Sequence, residues 1–91
     1  MFTKAKKKGT YQFSLKPNNS AHSVHVAGSF NNWQMVPMKK QKNGSFAATV
    51  PLSRGTHEYK FKIDNDWQLD PDNESYTLNS YGTLNSVLTI D

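Results

Sequence analysis

The chain contains no cysteine, so disulfide cross-links and thiolate metal ligands are both excluded and the fold rests on packing alone. The lack of thiols fits a reducing compartment, and a cytoplasmic location is the expectation. No apolar run approaches the roughly 20 residues that a membrane span needs. The first nine residues are basic with no apolar stretch behind them, unlike a secretory signal, so the Asn-X-Ser triplets at Asn18, Asn43 and Asn73 carry no expectation of glycosylation. Strongly apolar residues are also scarce. Leu, Ile, Val and Phe make up 18 of 91 residues, just under the fraction at which disorder becomes a serious alternative. Four tyrosines and two tryptophans weigh against it. Acidic residues are absent before Glu58, whereas Lys4, Lys6, Lys7, Lys8 and Lys16 crowd the start of a chain whose net charge is +4. Such a block is most simply a solvated tail.

What is present is a period of two. Tyr11, Phe13 and Leu15 alternate with polar residues, as do Val24 and Val26, then Phe46, Ala48 and Val50, then Tyr59, Phe61 and Ile63. Further strands are expected around Ser75 to Leu78 and Leu84 to Ile90. Turn chemistry punctuates them at Lys16 to Ser20, Asn31-Asn32, Asn43-Gly44, Arg54-Gly55, Asp64-Asn65-Asp66, Asp70 to Asn73 and Tyr81-Gly82. No segment sustains a helical period. The expected fold is an all-β, immunoglobulin-like antiparallel β-sandwich of about seven or eight short strands. Residues 1–9 are expected to form a flexible basic tail and residues 10–91 a single domain, too small to flank a deep catalytic cleft.

The two tryptophans stand on polar turns, Trp33 after Asn31-Asn32 and Trp67 after Asp64-Asn65-Asp66. A lone tryptophan there most often caps the core. Two on comparable turns suit a sugar, whose C–H face stacks on a flat ring while its hydroxyl rim takes donors and acceptors. Lys60, between Tyr59 and Phe61, and Asn85, after Leu84, are expected to point out of the sheet if their neighbours point in. Each taken singly is an ordinary polar strand residue, and spacing alone does not bring them together.

Four ordered runs carry a resemblance: Gly28-Ser29-Phe30-Asn31-Asn32-Trp33, His57 to Asp64, Trp67-Gln68-Leu69-Asp70-Pro71, and Gly82-Thr83-Leu84-Asn85. From Val24 to Ile90 the chain resembles carbohydrate-binding module family 48, and within it the glycogen-binding domains of AMP-activated protein kinase β subunits. The resemblance implies non-catalytic binding of α-glucan, as polysaccharide or maltooligosaccharide, with Trp33 and Trp67 as stacking platforms, Lys60 and Asn85 as hydroxyl partners and Thr83 in the same groove. It also implies a glucan-metabolising enzyme or a kinase as protein partner. Tyr81 departs from the pattern, since those kinase-subunit domains place a leucine before Gly-Thr. A tyrosine there either adds a third ring to the site or blocks part of it.

No cofactor, metal or catalytic residue is expected. His22 and His25 should face opposite sides of a strand, His57 reads as structural, and the acids from Asp64 to Glu74 lack the spacing of a calcium loop. A glycosidase needs two carboxyl groups held at a fixed separation, which acids on exposed turns do not provide. Single-stranded nucleic-acid binding is the alternative that also uses aromatics beside cations. The acids around Trp67 oppose it, because they repel a phosphate backbone. A protein-interaction module of the same fold is a further alternative.

Overall fold

The computed structural model describes residues 2–17 and 21–91. Among these residues ten strands follow in chain order: β1 (Phe2–Lys4), β2 (Thr10–Leu15), β3 (Val24–Gly28), β4 (Val36–Pro37), β5 (Lys39–Lys40), β6 (Phe46–Pro51), β7 (Gly55–Ile63), β8 (Asp66–Gln68), β9 (Tyr76–Leu78) and β10 (Leu84–Ile90), with one 3-10 turn at Ser29–Asn31. They form two antiparallel sheets. One runs β1-β2-β6-β5, and the other runs β4-β3-β7-β10-β9 with β8 added to the end of β7. The chain changes sheet between the two-residue strands β4 and β5, where Met38 is buried.

The expected alternation puts one face of each sheet in the core. Phe13, Leu15, Phe46 and Val50 come from the first sheet, and Val24, Val26, Tyr59, Phe61 and Leu88 from the second. Phe13 lies at the centre, its ring 4.9 Å from that of Tyr59 and 5.8 Å from that of Phe30. All six expected strands are present. The additional four are only two or three residues long, too short for alternation to register. The expected turn from Lys16 to Ser20 runs into residues 18–20, outside the described residues.

The start of the chain differs from a simple tail. Phe2–Lys4 pairs with Tyr11–Phe13 as an edge strand, because Phe2 packs its ring 6.2 Å from Phe13 and 6.4 Å from Tyr11. Trp67, expected on a turn, sits on the return strand of a tight hairpin and pairs with Lys62.

A buried polar network fastens the loop after β8 to the sheet. The Tyr59 hydroxyl donates to Asp70 Oδ2 at 2.7 Å and accepts from Asn73 Nδ2 at 2.9 Å, while the Asp70 amide donates to Ser86 Oγ at 2.9 Å. Burial, with a smaller contribution from the Asp70 carboxylate, pushes the Tyr59 phenol well above its ordinary range, and the Asn73 bond offsets only part of this. The sign of the pH effect follows directly. The folded protein keeps this proton after the unfolded chain has lost it, so the stabilisation is complete below about pH 10 and falls by about 1.4 kcal/mol per pH unit above that. Tyr59→Phe is expected to cost about 1.5–3 kcal/mol at neutral pH, the worth of a hydrogen bond to a charged group. It should also flatten the alkaline loss of stability. Urea unfolding of both proteins from neutral to alkaline pH measures this; an unchanged alkaline slope would place that titration elsewhere.

Candidate functional site

The outward face of the second sheet is set by register. Lys60 and Lys62 alternate with the core residues Tyr59, Phe61 and Ile63, and Lys62 lies opposite Trp67 on β8. Over this face, between the loop after β3 and the β9–β10 turn, lies an open cleft of about 700 Å³. All six of the expected residues line it: Trp33, Lys60, Trp67, Tyr81, Thr83 and Asn85.

The loop that delivers Trp33 explains its own sequence. At Gly28 a Cβ would lie 2.5 Å from the Glu58 carbonyl oxygen and 2.4 Å from the Phe30 ring, so glycine is required by close approach. Ser29 Oγ accepts the Glu58 amide at 2.9 Å, and Phe30 stacks on Phe13. Asn31 clamps the turn, its Nδ2 donating to the Gln34 carbonyl at 2.9 Å. Asn32 and Trp33 then both take positive φ, 59° and 62°. Asparagine tolerates this conformation, whereas a bulky aromatic residue adopts it only when its surroundings impose it. A bond from the Trp33 amide to the Gly28 carbonyl, 2.9 Å, holds it there. The indole stays 38% exposed.

Trp67 is 45% exposed. The Lys62 ammonium lies 5.2 Å from its ring centroid, a cation–π contact that steadies the indole from within the sheet.

The β9–β10 turn is organised by one amide. Asn79 Oδ1 accepts the backbone N–H groups of Tyr81 and Thr83 at 2.9 and 3.0 Å, which fixes its orientation. Its Nδ2 donates to Thr83 Oγ1 at 2.7 Å and to Asn85 Oδ1 at 3.1 Å. Lys60 Nζ also reaches Thr83 Oγ1, at 3.4 Å. With two donors directed at its oxygen, the Thr83 hydroxyl has its own proton left to give. Asn85 is oriented from both sides, since its Nδ2 donates to Glu58 Oε1 at 3.0 Å. Gly82, at φ 82°, closes the turn with its amide on the Asn79 carbonyl, and Tyr81 projects from the tip, 91% exposed.

Exposure departs from register at the β9–β10 end. Asn85 occupies the outward register, yet it is only 4% exposed because the turn and Glu58 cover it, while Leu84 on the opposite face is 38% exposed. Leu84 shares its face with Tyr76 and Leu78 on β9, which are also exposed, so the inner face of this sheet is left uncovered at that end. Sequence reasoning also missed Glu58, Asn79 and Lys62. Glu58 was findable, because it is two residues from Lys60 on the same strand and therefore on the same face. Lys62 was findable on the same ground, whereas Asn79 gave no signal, since its role depends on contacts made by the fold.

The acids that surround Trp67 in sequence are partly committed to structure. Asp64 accepts the amides of His22 and Ser23 at 2.9 and 3.0 Å, and Asp70 is buried in the Tyr59 network. His57 shares a hydrogen bond with the Ser53 carbonyl at 2.8 Å.

A sandwich that presents two exposed indoles beside fixed amide, hydroxyl and ammonium groups in an open cleft is the architecture of a sugar-binding module. Residues 9–91 match the family model of the glycogen recognition site of AMP-activated protein kinase, and the chain belongs to that family. It is 37% identical over 67 residues to the AMP-activated protein kinase subunit β-1 of Rattus norvegicus, a match covering 74% of this chain and 24% of that protein. To the subunit β-2 of Mus musculus it is 38% identical over 77 residues, covering 84% of this chain and 28% of that protein. The chain thus spans about a quarter of the length of these relatives. Among solved structures, a maltogenic amylase from S. marinus matches 90% of this chain with 13% of its own length, at a TM-score of 0.74 and 26% identity. The family is one of recognition rather than catalysis.

Proposed function

We propose that this cleft binds α-1,4-linked glucan, with Trp33 and Trp67 stacking on glucose rings while Lys60, Thr83 and Asn85 bond the hydroxyls. The observation that carries this reading is the convergence of two half-exposed indoles on one cleft with three pre-oriented polar side chains. Because Asn79 and Glu58 already hold the Asn85 amide, little side-chain entropy is lost on binding. Glu58 is the only carboxylate among the described residues lining the cleft, so the pair of acids that glycoside hydrolysis needs is not assembled there. In a longer protein of this family the module would tether a kinase complex to its glucan. Titration with maltoheptaose or β-cyclodextrin, with single-stranded DNA in parallel, tests the reading; binding of the DNA alone would overturn it.

Affinity for a neutral glucan is expected to be nearly independent of salt, because no counterions are released. Titrations at low and high ionic strength check this, and a steep fall would point to an anionic polymer.

Tyr81 extends the platform. Its backbone is pinned by Asn79, so an exposed phenol ring stands at the cleft's rim, where it would stack on a further glucose unit. A leucine there would instead be a compact apolar plug suited to a curved or cyclic glucan. The ratio of maltoheptaose to β-cyclodextrin affinity is therefore expected to fall several-fold in Tyr81→Leu, a change of about 1 kcal/mol for one aromatic platform. An unchanged ratio would remove Tyr81 from the site.

A further inference from the structure

The fold sorts charge by sheet. Eight lysines and no acid belong to the four-stranded sheet and its connections, whereas all seven acids lie at or after Glu58, on the six-stranded sheet and its loops, with only Lys60, Lys62 and Arg54 to balance them. One side of the sandwich therefore carries eight positive charges and the other a net four negative, which together give the overall +4.

These lysines are not a loose tail. Lys4, Lys6, Lys7 and Lys8 sit on the β1–β2 hairpin, whose turn is closed by the Thr10 amide and hydroxyl on the Lys7 carbonyl at 3.1 and 2.6 Å. Lys16, Lys39, Lys40 and Lys42 gather at the far end, around the β5–β6 turn that is closed between Gln41 and Ser45. All eight are exposed. The register places the groups at diagonal corners, since the hairpin end of β2 meets Pro51 while its Leu15 end meets Phe46 and through it Lys40. Six residues along and three strand spacings across put the corners about 25 Å apart. That exceeds a Debye length of ~8 Å, so each corner acts as a separate anchor.

Between the corners the outward positions carry Thr3, Gln12, Ser14, Thr49 and Ala47; Lys39 shares this face, whereas Lys4 and Lys40, opposite Tyr11 and Phe46, leave the two edge strands on the inward register. Among the described residues this surface offers no aromatic ring to stack a base. Lysines without arginine supply point charges rather than the forks that recognise single carboxylates or phosphates. What fits two separated lysine clusters across a neutral, hydroxyl-bearing sheet face is an extended, diffuse anionic plane.

We propose that the four-stranded sheet docks on anionic phospholipid membrane, leaving the cleft on the opposite sheet open to glucan. This surface and the glucan site are independent.

Sedimentation of the 91-residue chain with large vesicles tests it. We expect partition onto phosphatidylcholine vesicles containing phosphatidylserine, none onto phosphatidylcholine alone, and release at high salt. Each surface lysine contributes roughly fivefold. The triple variants Lys6→Gln/Lys7→Gln/Lys8→Gln and Lys39→Gln/Lys40→Gln/Lys42→Gln should therefore each weaken partition about a hundredfold. Both should keep the parent's unfolding midpoint and its β-cyclodextrin affinity; the midpoint alone certifies the fold if the parent binds no glucan. Absence of partition, equal partition onto neutral vesicles, or a loss confined to one corner would overturn the proposal. So would tighter binding of homopolymeric RNA than of vesicles at the same salt, which would assign the lysines to nucleic acid.

Discussion

Trp33→Ala and Trp67→Ala are each expected to lower glucan affinity by on the order of 5- to 150-fold, by analogy with the 1–3 kcal/mol that an aromatic platform gives a stacked base. The double variant should bind below detection. Both indoles line the cleft and are more than a third exposed, and neither belongs to the core cluster, so unfolding midpoints should barely move. Trp67 is the cleaner test, because its ring lies against the Lys62 ammonium and outside the core cluster. Isothermal titration with maltoheptaose, run beside urea unfolding, separates the two effects. A variant that loses several kcal/mol of stability would reveal a core tryptophan. One that keeps both stability and affinity would dismiss the ring from the site.

The parts of this molecule legible in the sequence are those where one physical signal acts locally. Alternation around Phe13, Phe46, Tyr59 and Phe61 gave the strands and the core, because a strand buried on one face must repeat every two residues. The outward position of Lys60 followed from the same period. Convergence of the site did not follow from any local signal: β7 brings Lys60, the loop after β3 brings Trp33, and the β9–β10 turn brings Thr83, from 23 to 50 positions apart in the chain. Only the resemblance joined them in advance. Asn85 shows where alternation misleads. It assumes that outward means exposed and inward means covered, but the turn folded by Asn79 covers Asn85 while the opposing sheet leaves Leu84 bare. Phe2 was hidden among lysines, and its burial depends on a partner ring, Phe13, eleven positions away.

The Gly28-to-Trp33 run ties stability to binding at one position outside the cleft. Gly28→Ala would place a methyl group against the Glu58 carbonyl, which is backbone in the middle of the sheet, and against the Phe30 ring stacked on Phe13. Neither neighbour can retreat cheaply. Moving the carbonyl parts β3 from β7 where Gly28 pairs with Tyr59, and moving the ring opens the core. The expected cost is about 1–3 kcal/mol, the range for overpacking, which lowers the melting temperature by about 4–8 °C per kcal/mol in a domain of this size. Glucan affinity should fall as well, although Gly28 touches no ligand in the proposed pose, because its carbonyl holds the Trp33 amide in the positive-φ conformation that aims the indole. Adding Phe30→Leu relieves the ring contact and leaves the carbonyl contact in place, so it should not restore either property. Calorimetry and maltoheptaose titration of the single and double variants provide the measurement. If Gly28→Ala melts and binds like the parent, the close approach does not constrain the loop; if Phe30→Leu rescues it, the ring rather than the sheet backbone sets the requirement for glycine.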